Sequence, residues 1–218
     1  MQGNYPASRH RLLQFINQQQ QQQDATTTGT GTDDKNNNYY KYYYQVALAK
    51  GLLGDICQKE GNLDEALKWY KAAVTEATAS ITTATGTSHT DKEEEEEEEE
   101  EEVGKCMETT YNKIGEVYHR QDNVAEAVTY YTRALELRQA RVQHHINRSA
   151  DNTIVAEAVA DVVTSLFKLS HAHGVLGHKE REQEYKSEGI ALIDRYCVES
   201  NEHIRPKFDR LRAYINAL

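Results

Sequence analysis

The sequence predicts an all-α protein, a helical-hairpin array of the α-solenoid kind with about three helix pairs and a C-terminal capping helix. Three observations carry this expectation. Apolar residues recur at helical spacing through most of the chain, and no run alternates apolar and polar side chains between turn signals. Only two prolines occur, Pro6 and Pro206, so little interrupts a helix. Small, aromatic and glycine positions also return along the chain at a constant offset.

Composition bounds the rest. A chain of 218 residues, 38% hydrophobic and 28% charged, allows one ordinary domain with tails. Its net charge of −10 arises in one place, the ten consecutive glutamates Glu93 to Glu102. Without that run the acidic residues equal the 25 lysines and arginines in number. A surface without a basic footprint disfavours direct nucleic-acid binding. No stretch approaches the roughly 18 apolar residues of a membrane span. The three cysteines, Cys57, Cys106 and Cys197, are odd in number and form no C-x-x-C pair. A reducing compartment follows, so the expected location is cytoplasmic, with the nucleus as the alternative.

Residues 1–38 read as a low-complexity, unstructured lead-in. Leu12, Leu13, Phe15 and Ile16 make too short a patch for a signal-peptide core. A weak mitochondrial presequence is the competing reading, because the first acidic residue is Asp24. The stretch NQQQQQQDATTTGTGTDDKNNN from Asn17 to Asn38 has little apolar area with which to offset its ordering entropy. Residues 39–81 read as the first helix pair. It opens on Tyr39, Tyr40, Tyr42, Tyr43 and Tyr44, with Tyr40 and Tyr43 or Tyr44 expected inside and the others outside. Residues 82–104 read as a Thr-rich and polyglutamate insertion, extended by repulsion between its like charges.

Residues 105–198 read as the second and third pairs. In the first pair Lys50, Leu53, Gly54 and Cys57 precede Gly61, Ala66, Tyr70 and Ala73. In the second, Tyr111, Ile114, Gly115 and Tyr118 precede Asp122, Ala127, Tyr131 and Ala134, each 61 positions on. Asn62 with Glu65, and Asn123 with Glu126, read as helix N-caps with an acid three places on. A worn third copy follows 55 residues later, with Leu166, Leu169, Ser170, His173 and Gly177 leading to Glu182, Lys186 and Gly189. The second helix of the second pair is expected to continue through Leu137, Val142 and Ile146. The chain then turns over Asn147 to Asn152, and a long helix begins near Ile154. Residues 199–218 read as the cap: Ile204, Phe208, Leu211, Ile215 and Leu218 form one apolar stripe, with Ser200 or Asn201 at its start.

This pattern resembles the tetratricopeptide repeat, whose W-x2-L-G-x2-Y … A-x3-F signature the second copy carries nearly in full. The resemblance covers roughly residues 44–195. Offsets of 61 and 55 imply insertions of about 27 and 21 residues relative to the family period. Such long pairs look like those of kinesin light chains and related adaptors. The resemblance implies that Gly54 and Gly115 let the two helices of a pair approach. It also implies that Ala66 and Ala127 sit at the crossing, and that Tyr70 and Tyr131 wedge toward the next repeat.

The same resemblance implies a non-catalytic scaffold or adaptor that holds a partner segment, peptide or helix, in a groove lined by the first helix of each pair. The candidate groove residues are Asp55, Gln58 and Lys59, with Leu48 and Gly51; Asn112, Glu116, His119 and Arg120, with Thr109; and Phe167 and His171, with Thr164 and Val175. Gly51 and Asp55 occupy places where chaperone-binding relatives carry carboxylate-clamp residues, which argues against that mode. An acidic insert among such repeats also resembles histone chaperones of the NASP type. The alternative reading is therefore a chaperone capturing a basic protein through Glu93 to Glu102. A third reading lays the glutamates on Arg205, Lys207, Arg210 and Arg212 of the cap. No enzyme motif and no cofactor is expected. His171-x-His173 and His144-His145 lack the shared face that a metal needs, so they read as surface or packing histidines.

Overall fold

The computed structural model describes residues 5–27, 35–84, 93–148, 151–199, 202 and 204–217, all built from helices and their turns. In chain order the helices are α1 (Tyr5–Thr27), α2 (Lys35–Lys59), α3 (Leu63–Ala84), α4 (Glu93–Arg120), α5 (Val124–Asn147), α6 (Asn152–Val175), α7 (Lys179–Glu199) and α8 (Arg205–Ala217). They fall into two compact units, Met1–Val117 and Tyr118–Leu218.

In the first unit α2 and α3 form a hairpin. Its crossing is close because Gly54 has no side chain: a Cβ there would stand 2.5 Å from the Tyr70 ring carbons. Ala66 and Tyr70 on α3 are fully buried, as is Leu53 on α2. α4 runs beside α2 in the same direction. The Tyr44 phenol bonds to Glu102, and eleven residues further along both helices Lys113 reaches Asp55 at 2.7 Å. Ala47, Ala77 and Val103 close the space between α2, α3 and α4.

The N-terminus departs from the expected unstructured lead-in. α1 is helical through the glutamines, and its Leu12, Leu13, Phe15 and Ile16 cover Tyr42, Val46, Ala49, Leu53 and Trp69. Arg9 adds ion pairs to Glu60 and Glu65. The physical reason is that the first hairpin has an apolar end face that needs a cover, and these four residues supply it. Tyr42, expected outside, is therefore buried and meets the Tyr43 ring edge-on at 5.1 Å. The side chains of Tyr39 and Tyr40 lie outside the described residues.

The glutamate run also differs from the expected extended tract, because α4 begins at Glu93. Glutamate is a good helix former, and its carboxylates suit the positive end of the helix dipole. The i,i+4 pair of Glu101 with Lys105, at 2.5 Å, and the burial of Val103 tie these turns to the unit. The remainder of the insertion, 85–92, lies outside the described residues.

In the second unit α5, α6, α7 and α8 share two apolar clusters. One joins Val124, Ala127, Tyr131 and Leu135 of α5 to Val162, Leu166, Leu169 and Ala172 of α6. The other joins Val155, Val159, Val163 and Phe167 of α6 to Ile193 of α7 and to Ile204, Phe208 and Ile215 at the cap. Asp151 starts α6 by accepting the Thr153 amide at 2.7 Å. Pro206 sits in the first turn of α8, where a missing N–H costs nothing, while Lys207 and Phe208 donate to the Ile204 carbonyl. Ser200, Asn201 and Leu218 lie outside the described residues.

Two of the cations of α8 are answered locally. Lys207 pairs with Asp161 at 2.9 Å and Arg212 with Asp194. Asp161 also accepts from Arg141 at 3.0 Å, while Arg138 donates to its backbone carbonyl and to the Ser165 hydroxyl, each at 2.8 Å. Burial pushes the Asp161 carboxyl up, but Lys207, Arg141 and Arg138 outweigh it and hold it below the ordinary range.

Candidate functional site

The turn between paired helices is built three times from one design. Asn62, Asn123 and His178 donate their amides to the carbonyls of Cys57, Tyr118 and His173 at 2.8, 2.9 and 2.9 Å. Just before them Gly61, Asp122 and Gly177 hold φ of +83°, +59° and +76°. This left-handed residue closes the first helix and reverses the chain. The carbonyls of Asn62, Asn123 and His178 then accept the first amide of the next helix, from Ala66, Ala127 and Glu182. The asparagines thus act through their backbone. The Asn123 side chain makes no cap, contrary to the sequence expectation.

On the first-helix face of the first unit, Asp55 and Gln58 are already engaged. The Tyr70 hydroxyl donates to Asp55 at 2.6 Å and lies 2.8 Å from the Gln58 oxygen. Lys113 completes the group, with its ammonium 5.8 Å from the Tyr70 ring centroid. Burial, and then the Asp55 carboxylate, push the Tyr70 phenol far above its usual value, so it stays a neutral donor. Lys59 is exposed and Glu116 half-buried. Asn112 is buried and gives its amide to the Glu108 carbonyl at 3.3 Å, so it offers nothing to a partner.

In the second unit His119 meets His171 with ring centroids 5.2 Å apart, and Arg120 is exposed. Phe167 is corrected. It is a core side chain, 2% exposed, packed into the notch left by Gly189 on α7. Large and small have changed places in this pair: Ser170 and Lys186 stand where Gly54 and Tyr70 stand in the first. The aromatic ring instead comes from α6 and the glycine from α7. Ser170 donates to the Glu182 carbonyl at 2.9 Å across the same crossing. His173 stacks on Tyr185, and its Nδ1 stands 3.2 Å from that of His178. Burial, then the charges of His178 and Arg181, push the His173 imidazole down.

Sequence reasoning missed Lys113 and Lys168. Lys168 stands over the Tyr131 ring at 5.7 Å, as Lys113 does over Tyr70, so a lysine of the following first helix covers the tyrosine of the preceding second helix in both units. The signal was present, since the two lysines are separated by the same 55 residues as the second and third copies. Among the described residues no group of three or more His, Cys, Asp or Glu could hold a metal ion. No helix among them is long and apolar enough to cross a membrane.

Hairpins with one repeated turn, a small residue at each crossing and a capped end define an all-α protein of the tetratricopeptide-like solenoid class. Residues 47–78 and 108–141 match the tetratricopeptide repeat family, and the chain is a tetratricopeptide-like repeat protein. The third hairpin lies outside both matched segments. The chain is similar to Protein NCA1 of Arabidopsis thaliana, 24% identical over 158 residues. That match takes in 72% of this chain but 33% of the relative, so the chain spans about a third of the relative's length. Among solved structures it is similar to the de novo designed helical repeat protein DHR64. That comparison gives 13% identity and a TM-score of 0.42, and covers 98% of this chain and 95% of that one.

Proposed function

We propose that this protein is a non-catalytic interaction scaffold whose first-helix faces hold a segment of a protein partner. The observation that carries the reading is where each hairpin puts its chemistry. Glycine, alanine and aromatic residues are consumed at the crossings. Lys59, Glu116, Arg120 and His171, on the first helices, remain at or near the surface. A tetratricopeptide-like repeat supports the same reading, because such helices line the binding groove of that family. Asp55, Gln58, Lys113 and Lys168 then act as the frame that holds those faces in shape.

Site-specific photocrosslinking tests this. A crosslinking residue placed at Lys59, Arg120 or His171 of the full chain is expected to trap partner protein. The same residue at Lys68 or Arg133, exposed on α3 and α5, is expected to trap little. Equal trapping at both sets of positions refutes the reading. Charge reversal at Glu116 and Arg120 is expected to abolish capture while leaving the helical circular dichroism signal unchanged.

A further inference from the structure

One stretch of the first unit is unlike the rest. On α2, between Tyr44 and Asp55, Leu48 and Leu52 are 41% and 52% exposed, though they are large aliphatic side chains one turn apart on one face. Between them Gly51 leaves a notch in which a Cβ would meet nothing within 4 Å. Neither leucine is among the residues that pack Ile16, Tyr42, Val46, Ala49 and Leu53, or Ala47, Ala77 and Val103. The later copies carry Thr109 and Lys113, then Thr164 and Lys168, at these positions, so the ledge is peculiar to the first hairpin.

The charges beside the ledge have one sign to spare. α4 runs along it from Glu102 to Lys113, preceded by the glutamate turns and followed by Glu116. Its two lysines are already matched within the unit, Lys105 by Glu101 at 2.5 Å and Lys113 by Asp55 at 2.7 Å. The surplus along the ledge is therefore negative, carried by Glu98, Glu100 and Glu102 toward one end. An apolar step bordered by carboxylates complements an apolar side chain flanked by cations.

We propose that the Leu48–Leu52 ledge docks a basic segment of a partner protein, with an aliphatic side chain over Gly51 and lysines or arginines against the carboxylates of α4. The proposal rests on the first-helix faces being the binding faces, and it goes further by naming the chemistry and the anchor. The apolar anchor sets where the segment sits, while the charges set which segments are admitted and how fast they arrive.

A phage-displayed library of random linear peptides, panned on the full chain, tests this. The expected outcome is enrichment of sequences in which leucine, isoleucine or methionine is flanked by lysine or arginine. Their binding should weaken about tenfold when Leu48 and Leu52 are both changed to glutamine, roughly the loss of two half-buried aliphatic contacts. It should also weaken severalfold between about 50 and 200 mM salt. Gly51→Phe, at a position where a Cβ meets nothing within 4 Å, should block the same peptides, and unchanged thermal melts would show that both variants are folded. Enrichment of acidic or neutral sequences that are still lost on charge reversal at Glu116 would overturn the basic class while leaving the binding face in place. No enrichment, enrichment indifferent to all three variants, or a dimer in light scattering that Leu48→Gln dissolves would overturn the proposal itself.

Discussion

Residue 61, 122 or 177 stands at the same point of each turn, and only the middle one is not glycine. Asp122 holds φ of +59°, where a Cβ is strained, and it places a carboxylate at the negative end of α4. Asp122→Gly is therefore expected to raise stability by about 0.5 kcal/mol, and Gly61→Ala to lower it by about 1 kcal/mol, both read from thermal melts. His173 gives a second expectation. Its folded pKa lies below the ordinary 6.5, so the neutral ring stacked on Tyr185 and bonded to His178 stabilises the fold above that pH. This contribution is lost as pH falls below 6.5 and the ring must take a proton beside His178 and Arg181. His173→Gln should flatten the dependence of the melting temperature between about pH 7 and 5. If the variant melts with the same slope as the parent, His173 does not carry it.

α1 shows how an element is held by what it covers. Its glutamines are good helix formers, but an isolated helix of such a sequence is still marginal in water because nucleation is costly. Docking of Leu12, Leu13, Phe15 and Ile16 on the first hairpin is what keeps it folded. Ile16→Asp buries a charge in that interface. It should cost about 3 kcal/mol and open the Gln18–Gln23 stretch to proteolysis while α5 to α8 stay helical. The cap at the other end is fastened by charge as well as by packing. Asp161→Asn removes the carboxylate facing Lys207, Arg141 and Arg138, at a cost of about 2 kcal/mol. Because the folded Asp161 pKa lies below the ordinary value, its contribution is complete above about pH 4 and fades as pH drops through the lower, folded value. The asparagine variant should melt at a temperature less sensitive to acid there.

For the molecule as a whole, the glutamate turns at the start of α4 account for the net charge of −10. Replacing Glu93 to Glu102 by glutamine brings the chain close to electroneutrality at pH 7, where mutual repulsion between molecules vanishes. Light scattering near neutral pH should show self-association in that variant and not in the parent. Helicity should persist, since glutamine is nearly as good a helix former as glutamate. A variant that loses the α4 helix signal would show that the carboxylates at the helix N-terminus, rather than propensity, start this element.

Much of this protein could be worked out from residue order, because helical pairs are local structures. The periodicity, the glycine or alanine at each crossing and the 61- and 55-residue offsets specify hairpins whose parts lie within about fifty residues of one another. The exposed positions Lys59, Arg120 and His171 were legible for the same reason. What residue order left open depends on partners distant in the chain. Nothing local shows that Leu12 to Ile16 have an end face to cover, or that Phe167 turns into the core to fill the notch of Gly189 twenty-two positions on. Nor does it show that Asn112 turns inward. A side chain's direction there follows from which neighbour is missing a Cβ or a cover, and that is settled when helices pack.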